Sequence, residues 1–306
     1  MDVSKIKLIA MDLDGTLTQH KEKLGEKNRQ VLNKLSKKYK LIMVGAGQVG
    51  RIFNQMEKFP IDIIGNYGLQ YATYNEKTGE MDIKRDELFE TDKEMIDKKV
   101  TYFREKYGFT SFRGENVEFH PSGCVTFPIL GTKAIQEEKL AFDPDRKKRR
   151  AIYREVCEAF DNYNVFVGGS SSFDMSPKPY NKYYALDLYC KENGLSHDEV
   201  CYIGDDYGVG GNDECVYKAD FNYLKIDDYN VFVGGSSSFD MSPKPYNKYY
   251  ALDLYCRENG YSHDEVVYIG DDYGQGGNDE SVYLSDFNYL TIDDYRDFTK
   301  VIKELL

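Results

Sequence analysis

Asp12-Leu13-Asp14-Gly15-Thr16 ends the first apolar run of the chain, IKLIAMDLD. Two carboxylates two residues apart, on a strand that stops there, can share one cation and divide two tasks, nucleophile and acid-base. Taken alone, the same residues also describe a plain acidic strand end with an Asp-Gly turn. A second acidic set, Gly204-Asp205-Asp206 followed by Gly210-Gly211-Asn212-Asp213, closes another apolar run. Hard oxygen donors of this kind suit Mg²⁺, which takes one or two carboxylates together with phosphate and water. A calcium loop fits less well, because the acids do not fall at alternating positions and no glutamate closes the set. Lys182 opens the helix before that second strand. Phosphoryl transfer to a carboxylate brings like charges together, so a fixed ammonium is required beside the metal. Gly45-Ala46-Gly47 offers bare backbone N–H groups at a helix start, which serve as a phosphate seat or as a simple strand-to-helix turn.

These residues need elements to place them, and one feature of the chain bears on which copy of them is used. Residues 163–228 return as residues 229–294, shifted by 66 positions with 8 differences, among them Lys191/Arg257, Leu195/Tyr261, Cys201/Val267, Val209/Gln275 and Cys215/Ser281. A solenoid needs at least three such units, so two near-identical copies read as a tandem duplication. Copy two repeats the chemistry-bearing positions as Lys248, Asp271, Asn278 and Asp279, with Ser238 and Asp240 repeating Ser172 and Asp174.

IKLIAMDLD, KLIMVGAG and DIIGNY read as buried strands, separated by helices with Leu24, Val31, Leu32 and Leu35 on one side and at about residues 49–58. The alternation predicts an α/β fold, a doubly wound parallel sheet. From residue 80 the pattern changes to a helix near 92–107, antiparallel strands VEFH and CVTFPI, and a helix in FDPDRKKRRAIYREVCEAF. This gives an organisation of 1–79 and 179–228 as core, 80–178 as an inserted α+β cap, 229–294 as a surplus duplicate and 295–306 as a C-terminal core helix. VCYIGDD of copy one is expected beside the first strand, flanked by FNYLKI. Copy two is expected to extend the sheet edge, which would hide its apolar strands; looping out or swapping into a dimer are the alternatives. The basic run Arg146-Lys147-Lys148-Arg149-Arg150, at the start of an amphipathic helix, reads as a solvated face, with phosphate binding as the alternative.

Among 306 residues the formal charge is -12 and the pI about 5.0. Such a field repels polyanions, which argues against nucleic acid and anionic membranes as partners. No run approaches the roughly 20 apolar residues that span a bilayer, and the first residues lack a signal-peptide pattern. Six cysteines without a Cys-x-x-Cys pair indicate reduced thiols and a cytoplasmic location.

DLDGT, a small-residue turn after the second strand, a lysine at a helix start and GDD…GGND occur in the order of the haloacid dehalogenase superfamily, in the branch with a type IIB cap. The chain most resembles the eukaryotic phosphomannomutase-like proteins, through GNYGLQYATYN, EFHPSGCVTFPILG, QEEKLAFD, GGSSSFDMSPKPYNK and GDDYGVGGND. The resemblance implies a Rossmann-like core and an aspartyl-phosphate on Asp12, with Asp14 as acid and then base and Lys182 neutralising the transferred group. It implies Mg²⁺ held among Asp12, Asp14, Asp205, Asn212 and Asp213, phosphate at Ala46 and Gly47, and substrate contacts from Ser172 and Asp174. Two departures shape the functional reading. Ala46-Gly47 stand where the superfamily usually has a serine or threonine, and His120, Thr132 and Lys139 stand where the mutases carry phosphate-gripping arginines. Bidentate arginine is the favoured device for a distal phosphate. The expectation is therefore a phosphatase acting on a small phosphorylated metabolite, a sugar phosphate, with a hexose phosphomutase and a catalytically silent binding protein as alternatives.

Overall fold

The computed structural model describes residues 2–18, 22–144, 146–226, 229–234, 238–243, 247–274 and 277–305. The chain divides into two compact units, Met1–Ile226 and Asp227–Leu306. In chain order the first unit holds β1 (Leu8–Met11), α1 (Glu26–Leu35), β2 (Lys40–Val44), α2 (Val49–Gln55), β3 (Asp62–Gly65), β4 (Gln70–Asn75), β5 (Glu80–Asp86), α3 (Lys93–Tyr107), β6 (Glu118–Phe119) and β7 (Val125–Pro128). It continues with α4 (Gln136–Phe142), α5 (Lys147–Ala159), β8 (Tyr163–Phe166), β9 (Ser172–Pro177), α6 (Lys182–Asn193), β10 (Val200–Gly204), α7 (Glu214–Tyr217) and β11 (Asn222–Lys225). The second unit holds β12 (Tyr229–Gly234), β13 (Ser238–Pro243), α8 (Lys248–Asn259), β14 (Val267–Gly270), α9 (Glu280–Tyr283), β15 (Asn288–Thr291) and α10 (Phe298–Val301).

A seven-stranded sheet runs in the order β11-β10-β1-β2-β3-β4-β5. Its first five strands are parallel, with Leu8 opposite both Val200 and Lys40. All four residues of β1 are buried, as expected of a central parallel strand covered on both faces. Successive side chains alternate between the faces. Ile9, Met11, Leu41, Met43 and Ile63 join one cluster with Ile52 and Phe53 of α2, while Leu8, Ala10, Ile42, Val44 and Ile64 join another with Ala185, Leu186 and Tyr189 of α6. The fold is therefore α/β, a Rossmann-like sheet wound on both sides. A separate sheet β6-β7-β9-β8 packs on α3 and α5 through Ile96, Val100, Phe127, Ile152 and Phe173, forming the α+β cap.

Several expectations need correction. The cap does not open at residue 80, because β5 pairs antiparallel with β4 inside the main sheet. It is a largely exposed edge strand, so its polar composition hid its membership. Val31 is exposed rather than part of the α1 core stripe. Copy two does not extend the main sheet: β12 pairs with β13 and β14 with β15, each in a two-stranded sheet. The registers are those of copy one, Val231 opposite Met241 as Val165 is opposite Met175, and Tyr268 opposite Tyr289 as Tyr202 is opposite Tyr223. Local pairing of segments close in sequence needs little loop closure, and copy two satisfies its backbone that way. The expected helix over RDFTKVIKELL is also absent as one piece. The four-residue α10 stands between two 3-10 turns, Tyr295–Asp297 and Ile302–Leu305, within the second unit. None of α10 is buried, and a short helix without a packed face does not propagate.

Among the described residues no helix is long and apolar enough to cross a membrane. The six cysteines are unpaired.

Candidate active site

Asp12 follows β1 directly and donates its backbone N–H to Ile203 O of β10 at 3.0 Å. The turn that follows requires Gly15, whose φ is +94° and whose missing Cβ would lie 2.3 Å from Asp205 Oδ2. Glycine is what lets the Asp205 carboxylate approach this backbone. Thr16 Oγ1 donates to Asp205 Oδ1 at 2.9 Å, so the DLDGT turn and the end of β10 are held together by their own side chains.

Lys182 is the first residue of α6, whose N-cap is Asn181, accepting from Tyr184 N at 2.8 Å. Its ammonium is wholly buried and lies 2.7 Å from Asp12 Oδ1 and 2.7 Å from Asp213 Oδ1. It also donates to Asn212 Oδ1 at 2.7 Å. Tyr202 Oη donates to Asp213 Oδ1 at 2.6 Å and Asp206 N to Asp213 Oδ2 at 3.1 Å. Asp213 is thus engaged at both oxygens and its role here is to hold Lys182. Burial disfavours the charged lysine, but Asp12 and Asp213 outweigh it and raise its pKa. Asp12 is shifted upward, chiefly by burial, with Lys182 opposing and Asp213 and Asp205 adding repulsion. Asp205 is raised too, by burial and then by Asp213.

One oxygen from each of Asp12, Asp205 and Asp213 falls within a 4.8 Å cluster. Three carboxylates so close, two of them with raised pKa values, match a hard divalent cation in donor type. Because Asp213 is committed to Lys182, the donor set fits Mg²⁺ best at Asp12 and Asp205.

Asp14 is held from α2: Gln55 Nε2 donates to its Oδ1 at 2.7 Å and Arg51 reaches its Oδ2 at 3.3 Å. Arg51 was not singled out in the sequence, although it lies one helical turn beyond Gly47, and a Cβ on Gly47 would sit 2.3 Å from its guanidinium. The cleft over these groups has a volume of about 540 Å³. Asp12, Asp14, Ala46, Gly47, Asp205 and Asn212 line it from the core, and His120, Thr132, Lys139, Ser172 and Asp174 line it from the cap. Lys182 and Asp213 stand behind its wall. In the cap, Thr126 Oγ1 and Ser172 Oγ donate to Asp174 Oδ1 at 3.0 and 3.3 Å, and His120 Nε2 lies 3.2 Å from Thr126 Oγ1. Burial raises the Asp174 pKa.

The basic run departs from the expected solvated face. Arg149 is fully buried, bonded to Asp143 at 2.8 Å and to Gly168 O at 2.6 Å. Arg146 reaches from the cap to Asp206 and lines the cleft. In copy two, Lys248 lies 2.5 Å from Asp279, which accepts from Tyr268 at 2.8 Å. Asn278 N donates to Asp272 at 2.9 Å, and Asp271 is exposed. Ser238 and Asp240 fall on β13, opposite Gly234 and Phe232. Among the described residues, the only acidic cluster with metal-ligand spacing is the one at Asp12.

Residues 9–208 match the family model described as haloacid dehalogenase-like hydrolase. The chain is 26% identical over 227 residues to a phosphomannomutase from Spinacia oleracea, covering 71% of this chain and 89% of that protein. It is 27% identical over 230 residues to a phosphomannomutase from Solanum lycopersicum, covering 72% and 88%. In fold it is similar to the N-terminally truncated IMP-nucleotidase of Plasmodium falciparum, with a TM-score of 0.51 and 16% identity over 72% of this chain and 66% of that one. The chain thus spans about two thirds of that nucleotidase. With the match over residues 9–208, the Rossmann-like core and the phosphomannomutase relatives in agreement, the chain belongs to the haloacid dehalogenase-like hydrolase family.

Proposed function

We propose that the protein is a phosphatase that hydrolyses a small phosphorylated metabolite, a sugar phosphate, through an aspartyl-phosphate on Asp12. The observation that carries this reading is the buried Asp12 carboxylate on the cleft floor, paired with Lys182 at 2.7 Å and clustered with Asp205. Asp12 attacks phosphorus as the ester P–O bond breaks, and Asp14 gives its proton to the leaving oxygen. Asp14 then takes a proton from the water that releases phosphate from Asp12. Gln55 and Arg51 hold Asp14 in place for both steps. Lys182 offsets the charge of Asp12 and of the transferred group. Backbone N–H groups of the Ala46-Gly47 turn serve as the phosphate seat. Mg²⁺ held by Asp12 and Asp205, with Asp14 and Asn212 alongside, would supply charge shielding and polarise the phosphoryl group. The cap excludes bulk water and selects the organic portion.

A hexose phosphomutase is the second reading, favoured by the phosphomannomutases among the relatives. His120, Thr132 and Lys139 at the cap side of the cleft weigh against it, since none is a bidentate anion clamp. Incubation with a hexose 1-phosphate, Mg²⁺ and a hexose bisphosphate separates the two: free phosphate supports the phosphatase, hexose 6-phosphate the mutase. Turnover of p-nitrophenyl phosphate that disappears in Asp12→Asn supports the mechanism. Near-normal turnover in that variant overturns it, and no turnover by the wild type leaves a binding protein as the reading.

A further inference from the structure

Lys225, the last residue of β11, holds its ammonium over two tyrosine faces, 4.6 Å from the Tyr207 centroid and 4.5 Å from the Tyr217 centroid. Tyr223 completes the group, with its ring 6.3 Å from Tyr207 and 5.2 Å from Tyr217. The quadrupole of an aromatic ring attracts a cation over its face, and the attraction counts within about 6 Å of the centroid. Copy one therefore carries a three-tyrosine cage that a lysine of its own strand fills. The same three tyrosines recur in copy two as Tyr273, Tyr283 and Tyr289. Their centroids stand 5.2, 6.1 and 5.2 Å apart, against 5.3, 6.3 and 5.2 Å in copy one.

One of the differences between the copies falls on the occupant. Thr291 takes the place of Lys225, opposite Gly270 as Lys225 is opposite Gly204. Threonine has neither the charge nor the length to lie over the rings. Among the described residues, cations lie over Tyr39, Tyr71, Tyr102, Tyr107, Tyr207 and Tyr217, and over no tyrosine of copy two. Tyr283 and Thr291 are both exposed, so the cage opens to solvent. Tyr273 Oη donates to Asp293 Oδ1 at 2.6 Å, which orients that ring and sets a carboxylate beside it. With a formal charge of -12 on the chain, the field around the cage favours a cation and disfavours an anion.

We propose that Tyr273, Tyr283 and Tyr289 form a binding site for an alkylammonium group from outside the chain, of the kind that a lysine side chain or a small quaternary amine presents. None of these residues takes part in the chemistry at Asp12, so binding is measured without turnover and stands or falls apart from the phosphatase reading. Saturation-transfer NMR titrations on the full chain compare butylammonium and tetramethylammonium with neutral butanol. At least one of the two cations is expected to bind about 5- to 30-fold more tightly than butanol, the effect of two exposed cation–ring contacts. Thr291→Lys places a cation of the chain where Lys225 has one and is expected to abolish that preference. Tyr283→Leu, at an exposed position, removes one ring face and is expected to reduce it at least about threefold. A wild type that favours neither cation over butanol, or a preference retained in full by either variant, overturns the site. A Gly-Lys-Gly peptide with blocked ends separates the two sources. Tighter binding of the peptide than of tetramethylammonium assigns the site to a lysine of a partner polypeptide, and the reverse order assigns it to a small quaternary amine; both support it.

Discussion

Lys182 Nζ lies 2.7 Å from Asp12 Oδ1, with the lysine side chain fully buried and the aspartate 7% exposed, whereas Lys248 of copy two pairs with Asp279 and keeps 43% of its side chain exposed. The same residue type in the same local motif therefore pairs with Asp12 as well as Asp213 in one copy, and among the described residues with Asp279 alone in the other. A buried ammonium between two carboxylates holds charge that none of the three could carry alone.

Lys182→Ala is expected to lower phosphatase kcat by about 10²–10³-fold, the usual effect of removing a fixed charge-stabilising group. Lys248→Ala is expected to leave it within about twofold. Steady-state assays with p-nitrophenyl phosphate on both variants check this, and the reverse ranking would assign the chemistry to copy two.

Chelation is expected to stop turnover, and saturating Mg²⁺ to raise the melting temperature of the wild type. The stabilisation at a hundredfold excess over Kd is about 2.7 kcal/mol. Asp205→Asn should lose most of the Mg²⁺-induced shift. Thermal melts across a Mg²⁺ titration read it directly, and an equal shift in the variant places the cation elsewhere.

Asp174 gives a pH dependence of defined sign. Burial raises its folded pKa above the unfolded value of about 4, so the fold favours its protonated form. Its contribution is present below about pH 4 and is lost as pH rises through the folded pKa. Asp174→Asn removes that loss, so the variant's melting temperature relative to wild type is expected to climb between pH 4 and pH 8. Melts of both proteins over that range test it, and a constant difference would show that Asp174 does not titrate upward.

Arg149 and Asp143 form a second fully buried ion pair, in the cap. Arg149→Ala leaves the Asp143 carboxylate buried without its ionic partner and removes one of the donors to Gly168 O, which keeps those of Ser172. A cost of about 3–5 kcal/mol is expected, measured as a lower urea midpoint with an unchanged slope. A loss under 1 kcal/mol would mean that water replaces the guanidinium.

Residue type and spacing alone pointed to the acidic strand ends, the lysine at a helix start, the alternating core and the family resemblance, because these depend on short-range order along the chain. The duplication was legible as well, but not how copy two pairs, since its strands were expected at the edge of the main sheet and instead pair with each other. The tertiary structure decided what local pattern cannot: that Asp213 serves Lys182, that Arg51 and Gln55 of α2 hold Asp14, and that Arg149 is interior rather than solvated. The first two depend on residues 31 to 41 positions apart meeting at one end of a sheet, and the third on the cap closing over the Arg149–Asp143 pair. The polar edge strand β5 read as insertion because an edge exposes most of its side chains, and the last helix read as continuous because amphipathic spacing does not reveal whether a partner surface exists.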